Sequence, residues 1–147
     1  MSEAEEHAIR ALFESWMLSD EDITDEILQP MIERFADPDL TYHEDPAWPG
    51  AATLWGQRAV MDRLREYREV LGRPSVTIEV LQSAGGGRWA AAVRIGGESA
   101  SGAPWGHLWG YVFDMRGGRV QAFRAFFDAA RPFEELGLEA GLPGRSV

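Results

Sequence analysis

The hydrophobic period of this chain changes once, at Gly72-Arg73-Pro74, and everything about its fold has to accommodate that change. Before it, apolar residues recur at helical spacing: Ile9, Leu12, Phe13 and Trp16, then Ile23, Ile27, Leu28, Met31 and Phe35, then Val60, Leu64, Tyr67 and Leu71. After it they alternate, as in Val76, Ile78 and Val80 or Trp89, Ala91 and Val93, with glycine clusters between the alternating runs. Helices first and a meander of strands afterwards predict an α+β domain. A chain of 147 residues is long enough to bury one core and too short to divide readily into two, so a single domain spanning 1–147 is expected.

Local signals give the expected boundaries. Ser2 and Glu5 form a capping-box pattern ahead of a helix over about 3–18. A second helix, kinked or split at Pro30, should end at Asp37-Pro38. An extended piece, Leu40 to Asp45, leads into PAWPGAATLWG, whose proline and glycine content predicts an irregular loop at a pocket rim. The third helix should run from Gln57 to a stop at Gly72 and Pro74. Gly85–Gly87 and Gly117-Gly118 predict hairpin turns, Gly96, Gly97 and Gly102 a bulge and a turn, and Pro104 to Met115 and Arg119 to Asp128 two long strands. The tail offers a brief helix through Leu136, and residues after about 138 are expected to be mobile.

Acidic residues outnumber Lys and Arg by 24 to 14, so the average surface repels polyphosphate backbones and anionic membranes; neither is expected as a partner. No run approaches the roughly 18 apolar residues that a membrane-spanning helix needs. The opening MSEAEEHAIR is acidic and lacks an apolar signal core, which predicts a cytoplasmic protein. Without cysteine there is no thiolate chemistry, and His7, His43 and His107 show no tight ligand spacing, so no metal and no cofactor are expected.

Three groups of residues can carry chemistry. Tyr42-His43-Glu44-Asp45-Pro46 crowds ionisable groups at a strand end; alternation should turn His43 and Asp45 one way and Tyr42 and Glu44 the other, so only one pair can look into a pocket. The same residues also suit a solvated turn in which Asp45 caps the chain before Pro46. Trp105, His107, Trp109 and Tyr111 lie at period two, an aromatic and hydrogen-bonding row fit for a ligand wall, a core or a dimer interface. On the last strand Arg124 and Asp128 share a face opposite Phe123, Ala125 and Phe127; a surface ion pair accounts for Arg124, while Asp128 can cap the tail or reach the pocket rim.

The order FADPDLTYHEDPAWPG, a helix, then WGYVFDMRGGRVQAFRAFFD resembles the SnoaL-like and ketosteroid isomerase-like branch of the nuclear transport factor 2 superfamily. The resemblance covers nearly the whole chain and implies a cone-shaped curled antiparallel sheet with about three N-terminal helices enclosing one apolar pocket. In ketosteroid isomerases a Glu-Asp-Pro segment supplies the proton-shuttling aspartate, and Glu44-Asp45-Pro46 matches it, which implies Asp45 as the base. Those enzymes hold the enolate oxygen with a tyrosine on the first helix and a protonated aspartic acid on a later strand. Here the first helix offers Leu12, Phe13 and Trp16, and the aspartic-acid position falls near Tyr111, with His107 and Trp109 on the same face. SnoaL-like cyclases place an acidic group near the end of the closing strand, where Asp128 stands. The Asp-Arg-Asp arrangement of limonene epoxide hydrolases is not reproduced, since Arg94 is followed by Ile95 and Gly96.

These readings predict a pocket for a small hydrophobic molecule. Asp45, Tyr111, His107 and Asp128 are its catalytic candidates, and Trp16, His43, Trp48, Trp105, Trp109, Phe123 and Phe127 its binding walls. The expected activity is cofactor-independent proton transfer on a carbonyl compound, as in an isomerase, cyclase or dehydratase; the alternative is a non-catalytic binding or dimerising module. A homodimer through the outer sheet face is expected, with Leu108, Val112 and Phe126 pointing outward.

Overall fold

The computed structural model describes residues 2–19, 21–99 and 101–139. Helix α1 (Ser2–Trp16) and helix α2 (Asp25–Phe35) precede strand β1 (Ala36–His43); a short strand β2 (Thr53–Trp55) and helix α3 (Gln57–Leu71) follow. Strands β3 (Ser75–Gly85), β4 (Arg88–Glu98), β5 (Pro104–Arg116) and β6 (Arg119–Phe126) then form the meander, and a one-turn helix α4 (Arg131–Glu135) closes the described chain. The six strands make one curled, unclosed sheet in the order β2-β1-β6-β5-β4-β3. Its pairings are antiparallel except where β1 runs parallel to β6.

The helices sit where periodicity put them. Pro30 is accommodated inside α2 as one continuous helix rather than a split one. Gly72 ends α3 with a positive φ of 78°, and a Cβ there would lie 2.4 Å from the Glu98 carbonyl oxygen, so only glycine lets the turn pass the sheet edge. The Ser2 side chain of the expected capping box lies outside the described residues, as does the tail after Glu139. Glu5 instead accepts a hydrogen bond from the Trp89 indole at 3.0 Å, tying α1 to the sheet.

Two expectations about the first strand are corrected. β1 begins at Ala36, not Leu40, and carries Pro38 where its register against β6 breaks between Ala36 and Thr41, a place that demands no N–H. The rim segment is not wholly irregular: Thr53–Trp55 pairs antiparallel with Thr41–His43.

The main core lies on the concave side of the sheet, under α1, α2 and α3, with Ile9, Phe13, Leu40, Val60, Val93 and Phe113 among its buried members. The convex side is partly covered by the chain's own tail. Phe133 of α4, fully buried, packs with Ala90, Ala92 and Ala129, and Leu108 lies against this second cluster. Val112 is also fully buried, so it and Leu108 are not the free outward surface expected of them. Arg124 pairs with Glu135 at 2.7 Å, the surface ion pair anticipated for it.

Candidate functional site

The concave side opens between the rim loop, α3 and β5 into an aromatic cavity of about 50 Å3. Trp16 comes from α1, Tyr42 from β1, Trp48 from the rim loop, Tyr67 from α3, and Trp105, Trp109 and Tyr111 from alternate positions of β5. Glu44 and Asp45 also line it. A second, inner chamber of about 40 Å3 adjoins it; Trp16, Tyr42, Tyr67 and Tyr111 bound both.

Two of the wall tryptophans spend their polar edges on structure. Trp16 donates its indole N–H to the Leu64 carbonyl at 3.1 Å and Trp105 to the Leu71 carbonyl at 2.9 Å, so both face α3 with their polar edge and leave ring surface to the cavity. Tyr42 stacks on Phe123 with ring centroids 4.4 Å apart. Its hydroxyl stands 3.4 Å from that of Tyr67, across the boundary between the chambers. Trp109 stacks on Phe127 at 4.6 Å, and Trp48 meets both rings from the rim loop.

The two carboxylates are held differently. The Glu44 side chain is 2% exposed and takes a bidentate grip from Arg63, Nε to Oε2 at 2.9 Å and Nη2 to Oε1 at 2.8 Å, with the Ala52 N–H adding a third bond at 3.0 Å. That pairing pushes the Arg63 guanidinium above its already high value. Asp45 accepts one backbone N–H on each oxygen, from Ala47 and from Phe127, both at 2.9 Å. It therefore caps the loop, as the turn reading anticipated, and ties the rim to the end of β6 while still lining the cavity. Each carboxylate oxygen offers two lone pairs, so one remains on each side of the group.

Tyr111 is the counterpart. It is buried, packed edge-on by Phe13 at 5.3 Å, and its hydroxyl has no hydrogen-bond partner among the described residues. No fully enclosed side-chain N or O among those residues lacks a partner, so this hydroxyl opens into the cavity. Burial pushes its ionisation well above the ordinary tyrosine value, keeping it a donor at any physiological pH.

The remaining expected residues fall elsewhere. His43 points away from the cavity, 3.2 Å from the Thr53 hydroxyl and edge-on to the exposed Trp55. The parity that paired it with Asp45 stops applying because β1 ends at His43 and the chain turns. His107 keeps its place in the β5 row but is exposed, donating Nε2–H to the Phe127 carbonyl at 2.8 Å. Asp128 is exposed and accepts the Ala130 N–H at 2.9 Å ahead of α4. Phe123 lines the inner chamber, and Phe127 backs Trp109 and Trp48 from behind. Sequence reasoning placed Tyr42 and Glu44 in the first group without assigning either to the site, and did not single out Tyr67 or Arg63; only the placement of Tyr67 in the apolar stripe of α3 hinted at it. No group of three or more metal-ligating side chains gathers anywhere among the described residues.

No protein-family model matches this chain, and no curated protein matches it in sequence. Solved structures do match in shape. A candidate SnoaL-like polyketide cyclase from a Jannaschia species superposes with a TM-score of 0.69 at 15% identity, over 93% of this chain and 94% of that one. A protein of ketosteroid isomerase-like fold from Catenulispora acidiphila, in complex with trimethylamine, gives 0.66 at 15% identity over 90% and 93%. TerC, co-crystallized with polyporic acid, gives 0.64 at 18% identity over 88% and 96%. The chain has the nuclear transport factor 2-like fold of the SnoaL-like and ketosteroid isomerase-like proteins, and at these identities the likeness is one of fold.

Proposed function

We propose that this chain is a cofactor-independent acid–base enzyme acting on a small hydrophobic carbonyl compound, with Asp45 as the base and Tyr111 as the donor to the carbonyl oxygen. One observation carries the reading: a carboxylate with spare lone pairs and an unpartnered, buried hydroxyl line the same aromatic cavity. In the step envisaged the C–H bond next to the carbonyl breaks, its proton goes to Asp45, and its electron pair moves to the carbonyl oxygen, where the Tyr111 O–H meets the developing charge. Reprotonation elsewhere gives isomerisation; attack of the enolate on a second carbonyl gives cyclisation. Trp16, Trp48, Trp105 and Trp109 supply the walls. His107 and Asp128, exposed and engaged with backbone, have no part in the step. Solved proteins of the same fold in complex with trimethylamine and with polyporic acid support a pocket for small molecules.

The test is exchange of the acidic C–H protons of aryl ketones and 1,3-diketones in deuterated water, followed by NMR, which reports proton abstraction whatever the product. Exchange above buffer, abolished in Asp45→Asn and slowed about 10²–10³-fold in Tyr111→Phe, with melting checked for both variants, supports the enzyme. Ligands that bind without exchange support instead a non-catalytic binding module. That second reading has its own observation: both Asp45 oxygens already hold backbone N–H groups, a structural task that needs no chemistry.

A further inference from the structure

The inner chamber has no polar group beyond those it shares with the outer cavity. Its private walls are Leu12, Phe13, Leu64, Phe113 and Phe123; the hydroxyls that touch it belong to Tyr42, Tyr67 and Tyr111 at the boundary with the outer cavity. At the boundary a water can reach the tyrosine hydroxyls, but deeper among Leu12, Phe13, Leu64, Phe113 and Phe123 it would lack the two to four polar partners it needs, so the inner end is apolar. The rings cannot readily close the space. Phe13 is braced edge-on against Tyr111 and Phe113 at 5.3 and 5.8 Å, and Phe123 is stacked between Tyr42 and Phe113.

The boundary itself is weakly latched. Tyr42 is fixed by its stack on Phe123 and by burial, whereas Tyr67 is only half-buried and leans on Trp16 and the Arg63 guanidinium. Their hydroxyls meet at 3.4 Å, well beyond the 2.7–2.8 Å usual for a good O–H···O bond, so parting them forfeits little.

We infer that the inner chamber is a subsite for an apolar tail, admitted by displacement of Tyr67 from Tyr42, and that the ligands of this chain are elongated: a carbonyl at the outer cavity with a flat or linear hydrocarbon extension reaching inward. This rests on the reading of the outer cavity as the carbonyl site. Each methylene that enters the apolar end of the chamber should raise affinity about fourfold until the chamber is full.

The experiment is titration of a homologous series, acetophenone through octanophenone, followed by tryptophan fluorescence and calorimetry. Affinity should climb about fourfold per methylene over the first members and then level off. Leu12→Phe, which fills the chamber from α1, should erase the climb while leaving acetophenone unchanged; Tyr67→Phe, which removes the latch but also alters the outer wall, should raise affinity for long members relative to acetophenone. If acetophenone binds and affinity is flat along the series, or the climb survives in Leu12→Phe, the subsite is refuted and the outer site stands. If no member binds, the reading of the outer cavity falls and takes the subsite with it.

Discussion

Removing the guanidinium of Arg63 should be among the most damaging single changes near the cavity, and the geometry says by how much. Glu44 is buried in an apolar wall with three hydrogen bonds, two of them from Arg63. Arg63→Met keeps an apolar side chain of similar reach at this position but removes the guanidinium from the Tyr67 ring and leaves the carboxylate with the Ala52 N–H alone. Breaking a buried pair from one side costs about 3–5 kcal/mol. The Arg63 side chain is 23% exposed and the cavity is open, so water can reach part of the orphaned group and the lower end, about 3 kcal/mol, applies. For a domain of this size that is a fall in Tm of roughly 6–12 °C. The assay is a double-mutant cycle in thermal and denaturant unfolding. Glu44→Gln in the Arg63→Met background removes the stranded charge and should recover at least half of the loss. A cost below about 1 kcal/mol for Arg63→Met, or a double variant no more stable than the single one, would refute the claim that this pair holds the wall.

Three further outcomes are expected. Burial pushes Tyr42 well above the ordinary tyrosine value, with Tyr111 and Glu44 adding to it, and does the same to Tyr111. The folded state thus favours the protonated phenols, so their contribution is complete below about pH 10 and is lost as pH rises past it; in Tyr67→Phe no phenolate absorbance should precede unfolding, and ionisation with the fold intact would contradict this. Gly110→Ala would place a Cβ 2.6 Å from the Pro132 Cδ and 2.9 Å from the Asp128 carbonyl oxygen, so it should cost about 1–3 kcal/mol and release α4, read as faster hydrogen exchange at Ala90 and Ala92; wild-type melting and exchange would contradict it. Asp25 is held below the usual carboxylate value by hydrogen bonds from Arg65 and Arg58. Its contribution is present above about pH 4 and fades as pH falls through the folded value, so Asp25→Asn should make the acid limb of a stability–pH curve shallower, and an unchanged limb would count against it.

The elements that sequence disclosed are those whose signals are local. α3 ends where Gly72 and Pro74 predict, and the β3–β4 and β5–β6 hairpins turn at their glycine pairs, because a positive φ or a missing N–H acts on the chain wherever it is; Gly96 and Gly97, expected to bulge, instead pair in unbroken register inside β4. β2 was invisible for the opposite reason. Three residues, Thr53–Trp55, between a Pro/Gly loop and a helix have no strand signal of their own and are extended only because β1 is there to pair with them. Likewise nothing in Ala129–Leu138 announces that it will lie on the convex face; the Gly110 gap that receives Pro132 is formed by a strand 22 residues earlier.

The site divides along the same line. Strand parity placed Trp105, Trp109 and Tyr111 on one wall because β5 is regular through all three, and it misjudged His43 because Asp45 lies beyond the end of β1, where alternation no longer applies. What decides the chemistry is a further step from sequence: which polar atoms are already used. Trp16 is satisfied by Leu64, Trp105 by Leu71 and Glu44 by Arg63, contacts spanning 48, 34 and 19 residues that no local pattern encodes. Tyr111 is the one of the three cavity tyrosines whose hydroxyl has no partner among the described residues, and Asp45, with lone pairs to spare, lines the same cavity. Under the function proposed above, a ligand that uses both would present one oxygen to Tyr111 and one acidic hydrogen to Asp45, and cover the rest of its surface with hydrocarbon, which is the form of an enolisable ketone.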